Sequence, residues 1–267
     1  MHDDADDRGQ DAAVDLQAWW DDIRIASAFL TRLPIATDEP QNLRSLARAS
    51  RAFPLIGLGI GLIGGIVYAV ADGLSLGVSL AAIIAVTTVV AATGALHEDG
   101  LADVADGFGG GRDREAKLRI MRDSRIGTYG VVALVLALAL RVAAIAAIGA
   151  VERPGGVIAA LIACHAASRA LIAVVMQREP LARDDGLAAA AGRPTTATAL
   201  WALCLGGGIA LVCERLSGVV ALAVGVAIAW GVAALARRQI GGHTGDVLGT
   251  VQQATEIGML LALAALA

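Results

Sequence analysis

The chain has 267 residues, of which 57% are apolar and 17% charged, with 32 glycines and a mean hydropathy of +0.68. A soluble domain carries about 25% charged residues and cannot hide this much hydrocarbon. A soluble single domain, a disordered chain, a disulfide scaffold and a nucleic-acid binder are therefore excluded, which leaves a polytopic membrane protein. The net charge of -4 is set largely at the N-terminus, where eight of the 25 carboxylates fall within the first 22 residues.

In chain order, residues 1–22 read as an acidic, disordered extension without the basic start of a signal peptide. The extension runs into a helix whose Leu16, Trp19, Trp20, Ile23 and Leu30 recur at helical spacing, as in an interfacial anchor. Residues 23–267 read as one membrane-embedded domain. Six apolar stretches are long enough to cross about 30 Å of hydrocarbon: 53–71, 75–96, 130–150, 156–176, 197–213 and 217–236. A seventh, 258–267, crosses only if it begins near Val251 and carries Glu256 with it. The expected fold is thus an all-α bundle of six to seven transmembrane helices. Basic residues fall alternately on the two sides, fourteen against two. The positive-inside rule then puts the N-terminus and the segments 97–129, 177–196 and 237–255 in the cytoplasm. Cys164, Cys204 and Cys213 lack metal-ligand spacing and read as small core residues.

Polar groups concentrate in those same segments. In His97-Glu98-Asp99-Gly100-Leu101-Ala102-Asp103-Val104-Ala105-Asp106-Gly107, a continuation of the second span would place Asp99, Asp103 and Asp106 on one face, at i, i+4 and i+7. Carboxylates so placed repel one another unless one is protonated or a hard cation such as Mg²⁺ binds; the plainer reading is a solvated helix end. Glu98 is expected to point away from that face, into solvent. The second segment, 112–130, holds six cations with glycine flanks. Arg112, Arg119 and Arg122 fit the ordinary basic bias, whereas Asp123-Ser124-Arg125-x-Gly127 suits phosphate. The third, Gly241-Gly242-His243-Thr244-Gly245-Asp246-Val247-Leu248-Gly249, is a small-residue loop with one carboxylate. Within the spans, Arg169 lies about 10 Å from its cytoplasmic end and within reach of a phosphate there. Arg141 suits interhelical pairing or snorkelling, and His165 suits core packing.

Five ordered motifs over residues 27–267 together resemble the cobalamin synthase family of adenosylcobinamide-GDP ribazoletransferases. They are Phe29-Leu30-Thr31-Arg32-Leu33-Pro34, Phe53-Pro54-Leu55-Ile56-Gly57, the 97–107 run, Ile120-Met121-Arg122-Asp123-Ser124-Arg125-Ile126-Gly127, and Gly242-x-Thr244-Gly245-Asp246-x-Leu248-Gly249. Glu98 stands where the family has Leu, Val104 where it has Thr or similar, and Arg193 follows Gly192 where Lys is common.

The resemblance implies that adenosylcobinamide-GDP is joined to α-ribazole or its 5′-phosphate, with release of GMP, at the cytoplasmic face of a prokaryotic inner membrane. It implies Mg²⁺ held by Asp99, Asp103, Asp106 and Asp123, and proton transfer through Asp103, Asp106 or Asp246. Arg125, Arg169 and Arg193, with Ser124, Gly127, Thr244 and Gly245, would bind substrate. Beyond the lipid bilayer, self-association and association with other late cobalamin-assembly enzymes stay open. Two alternatives are a CDP-alcohol-type phosphotransferase, whose Asp-Gly-x-x-Ala-Arg core has Asp103 in place of its Arg here, and a cation-coupled transporter.

Overall fold

A computed structural model describes residues 16–35 and 44–267, so the first fifteen residues of the acidic extension lie outside it. Among the described residues there is no strand, only an isolated bridge between Leu181 and His243. Five helices among the described residues are long and apolar enough to cross a membrane. They expose large apolar side chains, Val135, Val212 and Leu216 among them. Hydrocarbon spread over the whole girth of the bundle is stable against lipid and not against water.

Helix α1 (Leu16–Leu30) forms where the amphipathic pattern predicts it. It is more than a surface anchor. Its buried Asp22 accepts from Arg48 Nε at 2.9 Å and Arg51 Nε at 2.6 Å, and Arg51 stacks over Trp19. Ala26 and Leu30 are fully buried. A domain boundary at 22–23 therefore falls inside a packed helix, because the Asp22 carboxylate ties this turn to the body. After α2 (Arg44–Ala49) and a short 3-10 turn, α3 (Phe53–Gly73) begins with Pro54 in its first turn.

The bundle is organised around α8 (Pro154–Arg178), which is buried along most of its length. Small residues let its neighbours approach. Cβ atoms at Gly57 and Gly61 of α3 would lie 2.2 and 2.5 Å from the carbonyl oxygens of His165 and Leu161, and one at Gly65 would lie 2.9 Å from Ile158. Such a stripe brings two backbones into contact, the usual way membrane helices gain dispersion energy without a hydrophobic drive. Gly206 does the same against Ala170 from the opposite side.

One expectation about the spans changes. The second span ends early: α4 (Val78–Thr93) stops at Gly94 (φ +64°) and Ala95 (φ +57°), and α5 (Leu96–Gly110) departs at 90°. Two successive left-handed residues cannot continue a right-handed helix. Arg32 seals the break, its backbone N–H bonding Ala92 O at 2.8 Å and its side chain filling the space beside Gly94. Next, α6 (Arg114–Ile120) and α7 (Thr128–Val151) lead to α8, followed by the short α9 (Leu187–Ala191).

The fifth and sixth spans are two arms of α10 (Thr196–Ile240), broken at Arg215 (φ 50°, ψ -120°). A Cβ at Gly218 would meet Ala210 O at 2.8 Å, so the chain reverses there. Finally, α11 (Gly245–Leu266) is a full-length span with Glu256 inside it. Its N-terminal turn supplies the length that the apolar tail lacks. The cysteines are unpaired; Cys164 sits in the core as read, whereas Cys204 is exposed and Cys213 only partly buried.

Candidate active site

Three polar segments meet at one end of the bundle. Arg114 of α6 donates to Ile240 O (2.9 Å) and to Ala182 O, joining segments 112–125, 177–196 and 237–255. His243 N–H bonds Pro180 O at 2.8 Å, and Ala182 N–H bonds His243 O at 2.9 Å. Gly242 is required at this crossing, since a Cβ would lie 2.2 Å from Pro180 O.

The start of α11 lies across α5 backbone to backbone. A Cβ at Gly100 would be 2.8 Å from Asp246 O, and one at Gly249 would be 3.2 Å from His97 O. Thr250 Oγ1 donates to Gly100 O at 3.2 Å. These glycines bring Asp246 into the field of Asp99 and Asp103. Asp246 sits in the first turn of α11, where its Oδ2 accepts from Thr244 Oγ1 at 3.1 Å. Thr244 Oγ1 also caps the helix by accepting from Val247 N–H. Arg183 Nη2 stands 3.7 Å from Asp246 Oδ2. Half-buried Asp103 is pushed up to about 7, first by burial and then by repulsion from Asp99, Asp246 and Asp106; Arg183 opposes this. Negative charge here exceeds what the protein's own cations offset.

A cavity of about 150 Å³ opens beside these carboxylates. Asp99, Asp246, Arg183 and His97 line its polar side. Phe29, Phe53, Ile172 and Met176 line its apolar side, which accounts for two of the N-terminal motifs.

The expected aspartate face divides. Asp106 turns to α7, accepting from Gly127 N–H at 2.7 Å and Gly130 N–H at 2.9 Å. A Cβ on either glycine would lie 2.4 Å from an Asp106 oxygen. Asp106 therefore satisfies orphan amides at a helix start, where negative charge is favoured, and Gly127 makes room for it. Asp123 is exposed and bound to Arg125 at 2.7 Å, which lowers its carboxyl to about 2. Ser124 and Arg125 are exposed with it. Arg193 donates to Gln177 O (2.6 Å) and Arg178 O, closing the C-terminus of α8. Gly245 lines the cavity. Among the described residues, no three His, Cys, Asp or Glu side chains are grouped closely enough to hold a metal ion by themselves.

Arg169 has partners other than the expected phosphate. It is 1% exposed, with Nη1 3.0 Å from His165 Nδ1 and 3.9 Å from Glu256 Oε2. His165 Nδ1 lies 2.8 Å from Glu256, so the histidine belongs to a charged cluster instead of plain packing. Arg141 pairs with Glu256 (3.0 Å) and with Glu98 (2.7 Å), the interhelical pairing read for it. Glu98 is accordingly buried, not solvated: the 90° turn lays this side of α5 onto α7 and α11. Sequence reasoning missed Arg183 and His97 as lining residues. Arg183 counts there only as one of three cations in 177–196, and His97 only as a motif letter.

Fold and site together define a polytopic membrane protein with an acidic site at one end of its bundle. Comparison with known proteins says which. The family model described as cobalamin-5-phosphate synthase matches residues 22–264, and the chain belongs to that family. An adenosylcobinamide-GDP ribazoletransferase of Bradyrhizobium diazoefficiens is 48% identical over 253 residues, 91% of this chain and 93% of that protein. One of Sinorhizobium medicae is 44% identical over 258 residues, 94% and 98% of the two chains. No solved structure matches. The chain is thus a transferase of cobalamin assembly, and the CDP-alcohol and transporter alternatives fall away.

Proposed function

We propose that this protein joins adenosylcobinamide-GDP to α-ribazole or its 5′-phosphate and releases GMP, at the cytoplasmic face of a prokaryotic inner membrane. The observation that carries this reading is the convergence of Asp99, Asp103 and Asp246 beside an open cavity. A ribose hydroxyl attacks the corrinoid-side phosphorus. The bond from that phosphorus to the bridging oxygen breaks, and GMP leaves with that oxygen. Such transfers depend on positioning and charge compensation more than on covalent help.

Asp246 accepts the hydroxyl proton, and Arg183 beside it offsets the charge that Asp246 carries. Arg125, whose side chain is 87% exposed, binds the phosphates. Asp99 and Asp103 would hold Mg²⁺. Among the described residues the carboxylates are not grouped closely enough to hold an ion by themselves, which suits an ion that completes its shell with water and substrate phosphate, and the raised Asp103 marks charge such an ion offsets. Bound there, Mg²⁺ supplies neutralisation of the pyrophosphate oxygens. The basic loops at this end support a cytoplasmic placement.

The test uses purified protein in detergent with adenosylcobinamide-GDP and α-ribazole, scoring GMP before and after chelation. GMP release that stops on chelation and returns with Mg²⁺ supports the reading. Release indifferent to divalent ions removes the metal, and no release removes the reaction.

A further inference from the structure

We infer that the cavity beside Asp99 and Asp246 receives the flat alkylated aromatic base of the ribazole half, and not the guanine or the corrin; this rests on the transferase reading above. The argument starts from size. An apolar cavity of about 150 Å³ accommodates a benzene ring, and this one has that volume with an open mouth. A fused two-ring base entering from the mouth matches it. A corrin macrocycle does not.

Chemistry separates the two bases. The deep wall is hydrocarbon: Phe53, Leu46, Ile172 and Met176 are buried there, and the Phe29 and Phe53 rings lie nearly parallel at 6.3 Å. Guanine carries a carbonyl, an amino group and ring N–H groups on its rim, and each costs free energy when desolvated without a partner. A dimethylbenzimidazole presents methyl groups and C–H edges on the corresponding rim, which such a wall accepts. The polar side of the cavity is where Asp99, Asp246 and Arg183 stand. A base seated in the apolar end therefore leaves its ribose among the carboxylates.

The outer wall is α9, whose Leu187, Ala188 and Ala191 face the cavity. The helix is set between Gly186 and Gly192, both at positive φ. The small side chain at 188 leaves room that a larger one would occupy, so this wall sets the size of base admitted.

Two filling variants test this, Ile172→Phe in α8 and Ala188→Leu in α9. Substrates are ribosides of dimethylbenzimidazole and of unsubstituted benzimidazole, at saturating adenosylcobinamide-GDP. Each variant is expected to raise KM for the dimethyl riboside about tenfold, and to shrink the kcat/KM preference for it over the unsubstituted one. KM for adenosylcobinamide-GDP should stay within about twofold. A rise in that KM with the riboside KM unmoved would overturn the assignment, as would three unchanged KM values. A separate readout keeps the assignment independent of turnover. Wild-type protein titrated with the dimethyl riboside, with and without adenosylcobinamide-GDP, should unfold at a higher temperature, and Ala188→Leu should lose that shift. No shift in either condition sinks the base site, whereas a shift without GMP release sinks only the transferase reading.

Discussion

Glu98 and Asp99 are neighbours on α5, yet they belong to two regions built in opposite ways. Glu98 points into the bundle, where Arg141, Glu256, Arg169 and His165 form a buried cluster in which cations answer carboxylates. Gln252 and Gln253 extend it, bonding Glu256 at 2.6 Å and Glu98 at 3.2 Å. Asp99 points to the end of the bundle, where Asp103 and Asp246 have Arg183 as their cation. The inner region is compensated within the protein and is closed to solvent. The outer region keeps a surplus of negative charge and an open cavity. Compensation, more than residue type, separates a charged group that holds helices together from one available to a ligand.

The largest expected effect tests the inner region. Glu256→Ala leaves two buried arginines without their shared carboxylate and should cost about 3–5 kcal/mol, seen as a lower unfolding temperature in detergent. Unchanged unfolding would mean that the cluster contributes nothing to stability. On the outer side, Asp103→Asn should leave unfolding nearly unmoved while slowing GMP release about 10³-fold. Near-normal turnover would erase the contrast between the two regions.

Gly100→Ala probes the joint between them. A methyl group there meets the Asp246 backbone at 2.8 Å, displaces α11 from α5, and should lower kcat about 10²-fold, with Mg²⁺ affinity reduced as well. Asp106→Asn sharpens the division of the aspartate face. It should cost about 2 kcal/mol by weakening the bonds to Gly127 and Gly130, yet leave the Mg²⁺ dependence of turnover as in wild type. The smallest effect belongs to Arg125→Ala: KM for the phosphate-bearing substrate rises several-fold, and the unfolding temperature does not move.

Much of this architecture is legible in the residues. Spans follow from runs of hydrocarbon, because the cost of leaving backbone or charge in lipid is large and local. The gathering of three loops at one end follows from their shared bias in Arg. The motif glycines can be flagged in sequence, but their partners cannot: nothing near Gly100 names Asp246 as the backbone it must admit. Glu98 and Arg169 show the limit most clearly. A carboxylate beside a helix end reads as solvated, and an arginine within a few turns of a span's cytoplasmic end reads as a phosphate ligand, until the partner on another helix is known.

The sequence alone determined a polytopic α-helical membrane protein, its family resemblance, and the set of charged residues from which a site is made, since composition and local spacing carry those facts. Tertiary structure decided which charges face one another. The left-handed pair at Gly94 and Ala95 turns α5 across the bundle, and that turn sends Glu98 to Arg141 and Asp99 to the cavity. It also decided that Asp106 closes α7 and that Arg183 stands at Asp246, because both pairings span distances along the chain that no local pattern encodes.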